Sequence, residues 1–554
     1  MGGILNPIGG NSFVNLAEAR TLRVFVDKTD FIERTNNLIK AKDKFIAVTR
    51  PRRFGKTVTA HMLSAYYSKG YAGQNIFGGL KISNSESFAE HLHKYDVIYI
   101  DLNSVKDGYN SYKADKSLYV DGVDDIVDFL QFMAVRELKT NKDFAEQIES
   151  DPMVGKKSFS SALKAVCSHT GGRFVFIMDE WDLIFREYRD EHALQEKFIE
   201  VLRGLFKSDA GQACFALAYL TGILPIKKYN SQSALNVFKE YNMLNPEPYE
   251  KYFGFTEEEV AEIVNSPICR LTHQELKEWY EGYKLNGTDI YNPNSVASAV
   301  GDGKCKSYWS GTSSNEEVVR LISMDFDGIK EDIVNMIEGG MVSFDCSKFQ
   351  NDMVSINSKD DALSLLVCLG YLGCSDTNNI YRKAAYVPNA EIKSALISIV
   401  RSQNWCERME TVRRSEKLLR AILELDGETA AGLIQEIHNS PAVSLYDYND
   451  EESLTYCVMT GLLWSTLDDY GCHREEQAGK GRLDLAYEPT IKGTAPLILI
   501  EFKYDSSAEE AIAQIKTQEY FKRYTAQYRG NIIIAGINYS SKTKEHQCVI
   551  ERIG

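Results

Sequence analysis

Four runs of nearly unbroken apolar residues mark the first 250 positions: KFIAVTR (Lys44 to Arg50), YDVIYIDLNS (Tyr95 to Ser104), FVFIMDEWD (Phe174 to Asp182) and ACFALAYLTG (Ala213 to Gly222). Strands this apolar on both faces belong to a parallel sheet covered by helices on either side. Directly after the first run the period changes to that of a helix. In TVTAHMLSAYYSKG (Thr57 to Gly70), Val58, Met62, Ala65 and Tyr66 share one face, and Gly70 reads as the stop. Residues 1–255 are therefore expected to form an α/β domain. From Thr256 the pattern becomes mainly helical, beginning with TEEEVAEIVN and HQELKEWYEGY, and it stays so to residue 444. Within it, DALSLLVCLGYLGC followed by IYRKAAYVPNAEIKSALISIV suggests a winged-helix-like module. Residues 445–554 run helix (SLTYCVMTGLLWSTLDDYG), strands (GKGRLDLAYEP, PLILIEFKYD), helix (AEEAIAQIKTQEYFKRYTAQY) and strand (NIIIAGINYS), a small α/β domain of their own. The expected fold class is α/β multidomain, in three parts.

Composition narrows the partners. With 554 residues, 44% hydrophobic and 25% charged, the chain is too long for one core and has an ordinary globular balance. Its net charge of -15 excludes a protein that coats nucleic acid through a general basic surface, though not a local groove. The eleven cysteines have no CxxC pair and no zinc spacing, so reduced buried thiols in a cytoplasmic protein are expected. The start MGGILNPIGGNSF lacks the basic and apolar segments of a signal peptide. The longest apolar stretch, Leu363 to Cys374, is too short for a bilayer, and no membrane partner is expected.

Candidate chemistry sits first at Val48 to Ala60, VTRPRRFGKTVTA. It lies between a strand and a helix and ends in Gly55-Lys56-Thr57, as a phosphate-binding loop does, but Arg50 stands where the general pattern has glycine. Amide groups at the helix start bind phosphate, Lys56 reaches the β- and γ-phosphates, and Thr57 ligates Mg²⁺. Arg53, Phe54 and Gly55 complete the nucleotide-binding candidates. The run FVFIMDE ends in adjacent carboxylates, Asp179 and Glu180. Buried strand ends need a partner for such charges, so Asp179 is the candidate for Mg²⁺ and Glu180 for polarising the attacking water. Thr221, at the end of the next strand, is a candidate γ-phosphate sensor. Arg186, Arg189 and Arg203 stand unranked as an arginine finger.

RPRRFGKT, FIMDEWD, LTG, YFGFTEEEV, WYEGY and YNPNSV resemble the bacterial AAA-ATPase-like domain that is fused to a C-terminal PD-(D/E)XK nuclease domain, over about Asn6 to Asn538. The resemblance implies that the Arg-Pro-Arg-Arg-Phe-Gly-Lys loop is that family's own form, so Arg50 bears on turnover rather than on binding. It leaves open whether Arg52 and Arg53 touch phosphates.

A second constellation lies in the last domain. GRLDL places Asp484 in one strand, and IEFK places Glu501 and Lys503 on one face of the next. Two carboxylates aimed at one point hold a hard divalent cation, Mg²⁺ or in its stead Mn²⁺. A lysine beside them orients water or stabilises phosphate charge, which is metal-assisted phosphodiester hydrolysis in outline. Gln514 and Tyr520 on the following helix resemble the glutamine and tyrosine of the nuclease superfamily. Glu452 is the candidate extra acidic ligand, with Glu475 competing. Residues 445–554 hold twelve Lys and Arg against seventeen Asp and Glu, a balance of -5, so a nucleic-acid groove needs local clustering; RRSEKLLR (Arg413 to Arg420) is one basic helix. The expected function is an ATP-regulated, metal-dependent nuclease acting on DNA ahead of RNA, with homo-oligomerisation left open. The alternative is a nucleotide-switched scaffold or signalling ATPase whose nuclease-like domain binds without cutting.

Overall fold

A computed structural model describes residues 4–7, 12–115, 119–150, 158–225, 235–309, 314–324, 326–347, 349, 356–379, 381–402, 410–439, 450–467, 469–478, 481–491, 495–528 and 530–553. The chain divides into two compact units, 1–327 with 343–395, and 328–342 with 396–554.

The first unit is built on five parallel strands, β1 (Phe45–Thr49), β2 (Asp96–Asp101), β3 (Phe174–Asp179), β4 (Phe215–Gly222) and β5 (Lys239–Tyr241), in the order β2-β3-β4-β1-β5. The four apolar runs became β1 to β4. Their side chains alternate between two cores: Phe174, Phe176 and Met178 enter one, Val175 and Ile177 the other. That is the period of two acting on a sheet covered on both faces. The helix after β1 is Lys56–Tyr67 and stops short of the expected Gly70. Ser68 turns extended, and its hydroxyl accepts from the Gly70 amide, drawing the chain into a 3-10 turn. Two helices beyond Thr256 begin with reciprocal caps. Thr256 with Glu259 caps Glu257–Val264, and Thr272 with Glu275 caps His273–Tyr280. A small sheet of β6 (Phe255–Thr256), β7 (Tyr283–Leu285) and β8 (Thr288–Tyr291) links them. Further along, β9 (Val342–Asp345), β10 (Gly373–Asp376) and β11 (Arg382–Tyr386) form another three-stranded sheet within the helical middle, with the helix Lys359–Leu369 between β9 and β10 in the chain.

The second unit holds a mixed sheet of β12 (Tyr470–Ala478), β13 (Gly481–Pro489), β14 (Leu497–Tyr504), β15 (Ile532–Ser540) and β16 (Glu545–Ile553), in sequence order, with β14 and β15 parallel. One face packs on the helix Glu451–Thr466, the other on Ala508–Thr517. The single helix expected over Ala508 to Tyr528 is two, Ala508–Thr517 and Lys522–Tyr528, because Glu519 between them takes a left-handed φ of 56°. Among the described residues no helix is long and apolar enough to cross a membrane.

Candidate functional site

In the first unit, β1 delivers the loop Arg50 to Gly55, and Gly55 starts the helix at φ 84°. No atom lies within 4 Å of where a Cβ would stand, so the glycine supplies only the left-handed backbone. No side chain caps the helix, which leaves its first amides for an anion. Lys56 is 4% exposed and donates to the Pro51 carbonyl at 2.8 Å. Burial pushes its pKa down, while Glu180, Asp179 and Asp182 pull it back up. A cavity of about 680 Å³ opens over this helix start. Arg52, Arg53, Gly55, Lys56, Thr57, Glu180 and Arg186 line its polar side, and Phe25, Val26 and Phe255 its apolar side.

β4 lies between β1 and β3, and the ends of β1 and β3 frame the site. Asp179, last in β3, is 1% exposed, and burial, then the charge of Glu180, pushes its carboxyl up to about 7. Thr57 stands close enough to draw the Asp179 pKa back down, so the two residues expected at Mg²⁺ lie side by side. The Asp179 carboxylate also accepts from the Glu180 amide at 3.0 Å. Glu180 itself sits at φ 55° and is ion-paired to Arg186. Phe54 is buried, its ring edge-on to Tyr283, while the Arg53 guanidinium donates to the Tyr308 carbonyl. Thr221 is not brought to the cavity: its hydroxyl donates to the Val48 carbonyl across the β1–β4 pair at 2.8 Å.

Arg50 does not line this cavity. It is fully buried and donates to the Thr49 carbonyl at 2.8 Å and the Tyr241 carbonyl at 3.1 Å, with its guanidinium over the Phe253 ring at 5.3 Å. Burial lowers its pKa to about 10. It ties the loop's first residue to the Tyr241–Phe253 segment. Arg50→Ala would leave those carbonyls unpaired beside a large cavity, and should destabilise the protein by about 3 kcal/mol or more. Denaturant melts check this; an unchanged midpoint would refute the bracing role.

In the second unit the strand phase breaks at Asp484. Leu483 packs into one core and Leu485 into the other. The β13–β14 pairing ends at Leu485 and Ile500, and Asp484 Oδ2 takes over as acceptor for the Phe502 amide at 2.8 Å. The same register brings Asp484 beside Glu501, which is 1% exposed. Burial, then the Asp484 charge, pushes the Glu501 carboxyl up to about 8. Lys503 Nζ stands 3.6 Å from Glu501 Oε1 and 3.5 Å from Glu451 Oε1. Gln514 donates to Glu501 Oε1 and lies 3.4 Å from the Tyr520 hydroxyl. Opposite Glu501 in β15, Gly536 lets the next helix approach: a Cβ there would meet the Ala508 carbonyl at 2.3 Å.

Asp484, Glu501, Lys503, Gln514 and Tyr520 thus converge, but Glu452 does not join them. It pairs with Arg474 at 3.5 Å, and that guanidinium lies over the exposed Tyr456 ring. Glu451 takes the place instead, a residue sequence reasoning missed. The helical period carried part of the signal: Glu451 precedes buried Leu454 and Thr455 by one turn, whereas Glu452 precedes buried Thr455 and exposed Tyr456. The Glu475 side chain lies outside the described residues.

Among the described residues no three His, Cys, Asp or Glu side chains form a ready metal-holding group. The donor chemistry still fits a hard cation, because Glu501 Oε2 is buried without a hydrogen-bond partner next to a second carboxylate. Without metal this acid favours its proton on folding. The stabilisation is full below about pH 4.5 and is lost as pH rises through about 8. Glu501→Gln should therefore remove part of the fall in Tm between about pH 5 and about pH 8 in chelator, and raise Tm at the upper end. Asp179, raised in the same direction, is common to both proteins, so the difference between their melts isolates Glu501. Parallel curves would refute it.

Residues 7–230 match the model of a predicted AAA-ATPase family, and residues 450–548 that of the PD-(D/E)XK nuclease superfamily. An uncharacterized protein in the vnfD 5' region of Azotobacter chroococcum mcd 1 is 21% identical over 566 residues, covering 97% of each protein. The Aeropyrum pernix ORC2 protein, solved in ADPNP–ADP complexes, is similar over 68% of this chain and 93% of its own, with 11% identity and a TM-score of 0.27.

Proposed function

We propose, for a chain that joins a predicted AAA-ATPase domain to a PD-(D/E)XK nuclease superfamily domain, an ATP-regulated, metal-dependent nuclease that cuts nucleic-acid phosphodiester bonds, DNA ahead of RNA. The observation that carries the cutting activity is Glu501: a buried carboxylate with one oxygen unpartnered, held against Asp484 with Lys503 beside it.

In this reading Asp484 and Glu501 hold a divalent cation, Mg²⁺ or Mn²⁺. When bound, such a cation neutralises phosphate charge and lowers the pKa of a water. Gln514 fixes the orientation of Glu501 through Oε1, leaving Oε2 for the cation. Lys503, braced between Glu501 and Glu451, presents its ammonium to the scissile phosphate or to the attacking water. In the ATPase part Lys56 and the amides after Gly55 bind the phosphates, and Thr57 and Asp179 hold Mg²⁺. Glu180 polarises water. The division at residues 255 and 444, a cytoplasmic setting, and self-association as an option belong to the same reading.

The acidic balance of -15 favours a second reading, a nucleotide-switched scaffold that grips nucleic acid without cutting it. The deciding experiment is cleavage of DNA and RNA with Mg²⁺ or Mn²⁺, with and without ATP, alongside a binding assay. Metal-dependent cutting supports the nuclease. Binding without cutting in every nucleotide state supports the scaffold.

A further inference from the structure

Of the three arginines that follow the β3 carboxylates, the structure singles out one. Arg203 pairs with its neighbour Glu200, and Arg189 is not part of the cavity wall. Arg186 lines the cavity with Glu180, Lys56 and Gly55. It is held at two ends. Its Nε pairs with Asp182 Oδ2 at 2.9 Å, and the Asp182 side chain is fully buried. That same oxygen accepts the Leu224 amide at 2.9 Å and the Ile223 amide at 3.3 Å, so the anchor is tied to the end of β4. At the other end, Arg186 Nη2 pairs with Glu180, which lines the same cavity. The arginine stem is therefore fixed by Asp182, while its terminal nitrogen pairs with Glu180 in the wall of the cavity that Lys56 also lines.

From this geometry we infer that Arg186 reads the terminal phosphate of a bound nucleoside triphosphate, exchanging its ion pair with Glu180 for one with that phosphate. The inference rests on the nucleotide reading of the first unit. A terminal phosphate carries more charge than one carboxylate and offers several acceptor oxygens to the guanidinium fork, so it outcompetes Glu180. A diphosphate lacks that group and leaves the pair intact. The exchange has a second effect. Paired to Arg186, Glu180 is a poor acceptor for a water proton; once released, it can polarise the attacking water. The same arginine thus distinguishes triphosphate from diphosphate and holds Glu180 back until the triphosphate is present.

The test is equilibrium binding of ADP and of a non-hydrolysable ATP analogue to the full chain with Mg²⁺. Wild type, Arg186→Gln and Glu180→Gln are compared. Wild type should prefer the triphosphate. Arg186→Gln should cut that preference about tenfold or more while ADP binds within about threefold of wild type. Glu180→Gln removes the competitor, and should widen the preference for triphosphate over ADP by a similar factor. Because Arg186→Gln strips a partner from buried Asp182 and could misfold, Glu180→Gln also stands as a test alone. An unchanged preference in Arg186→Gln, equal loss of both nucleotides, or an unchanged preference in Glu180→Gln overturns the inference. Wild type that binds neither nucleotide overturns the nucleotide reading itself, a distinguishable failure.

Discussion

Asp484→Asn is expected to lower metal-dependent phosphodiester cleavage by roughly 10³-fold, the several kcal/mol that a metal-held charge supplies to the transition state, with little change in stability. The choice of asparagine matters. Asp484 Oδ2 accepts the Phe502 amide at 2.8 Å, in the place where the β13–β14 ladder would otherwise continue. Alanine would leave that amide without its acceptor at a cost of about 1–3 kcal/mol and confuse lost chemistry with lost fold. The amide oxygen of asparagine can still accept it, while the charge that holds a cation is gone. Losing that charge also relieves Glu501, whose carboxyl Asp484 helps to raise. Asp484→Asn should therefore slow cutting and, in chelator, also flatten part of the pH dependence of stability that Glu501 contributes, a smaller effect. Lys503→Ala, which leaves both carboxylates, should cost about 10²–10³-fold in rate. Initial rates on DNA and RNA substrates at saturating Mg²⁺ and Mn²⁺ measure both. Asp484→Asn protein that cuts at the wild-type rate would remove the metal site from the mechanism.

Much of this arrangement was legible because it follows from period. The four apolar runs became β1 to β4, since only a strand buried on both faces tolerates so few polar residues. Glu501 and Lys503 fell on one face because side chains in a strand alternate. What escaped depended on tertiary context. Glu519 breaks the expected long helix with a left-handed residue that no propensity marks. Thr221 sits where a sensor was expected, but its hydroxyl is spent on the neighbouring strand. Glu451 and Glu452 are both plausible acids by type, and only the buried face of their helix separates them. Arg50 was read through the glycine it replaces. Its actual role, bracing the loop against backbone carbonyls from a distant segment, has no local signature. Arg186 was present as a candidate, but ranking it required knowing that Asp182 is anchored to the end of β4.

The second large effect is expected in the first unit, where Lys56→Ala should weaken nucleotide binding by roughly 100-fold, about the 3 kcal/mol of a charge-assisted bond to phosphate. Lys56 is buried, and among the described residues its ammonium donates to one acceptor, the Pro51 carbonyl at 2.8 Å. Desolvation already lowers its pKa, offset by Glu180, Asp179 and Asp182. A polyphosphate entering the cavity supplies the countercharge that the buried ammonium lacks, so binding and its protonation reinforce each other. Removing the lysine has an opposite consequence for Asp179. That carboxyl loses a cation that lowers its pKa and should rise above about 7, which weakens its hold on Mg²⁺ at neutral pH. Lys56→Ala should therefore lose more affinity with Mg²⁺ present than in chelator, whereas a lysine acting only as a surface charge would lose the same in both. Titration of a fluorescent ATP analogue under the two conditions measures the difference. If the variant binds as tightly as wild type, the loop after β1 is not the nucleotide site.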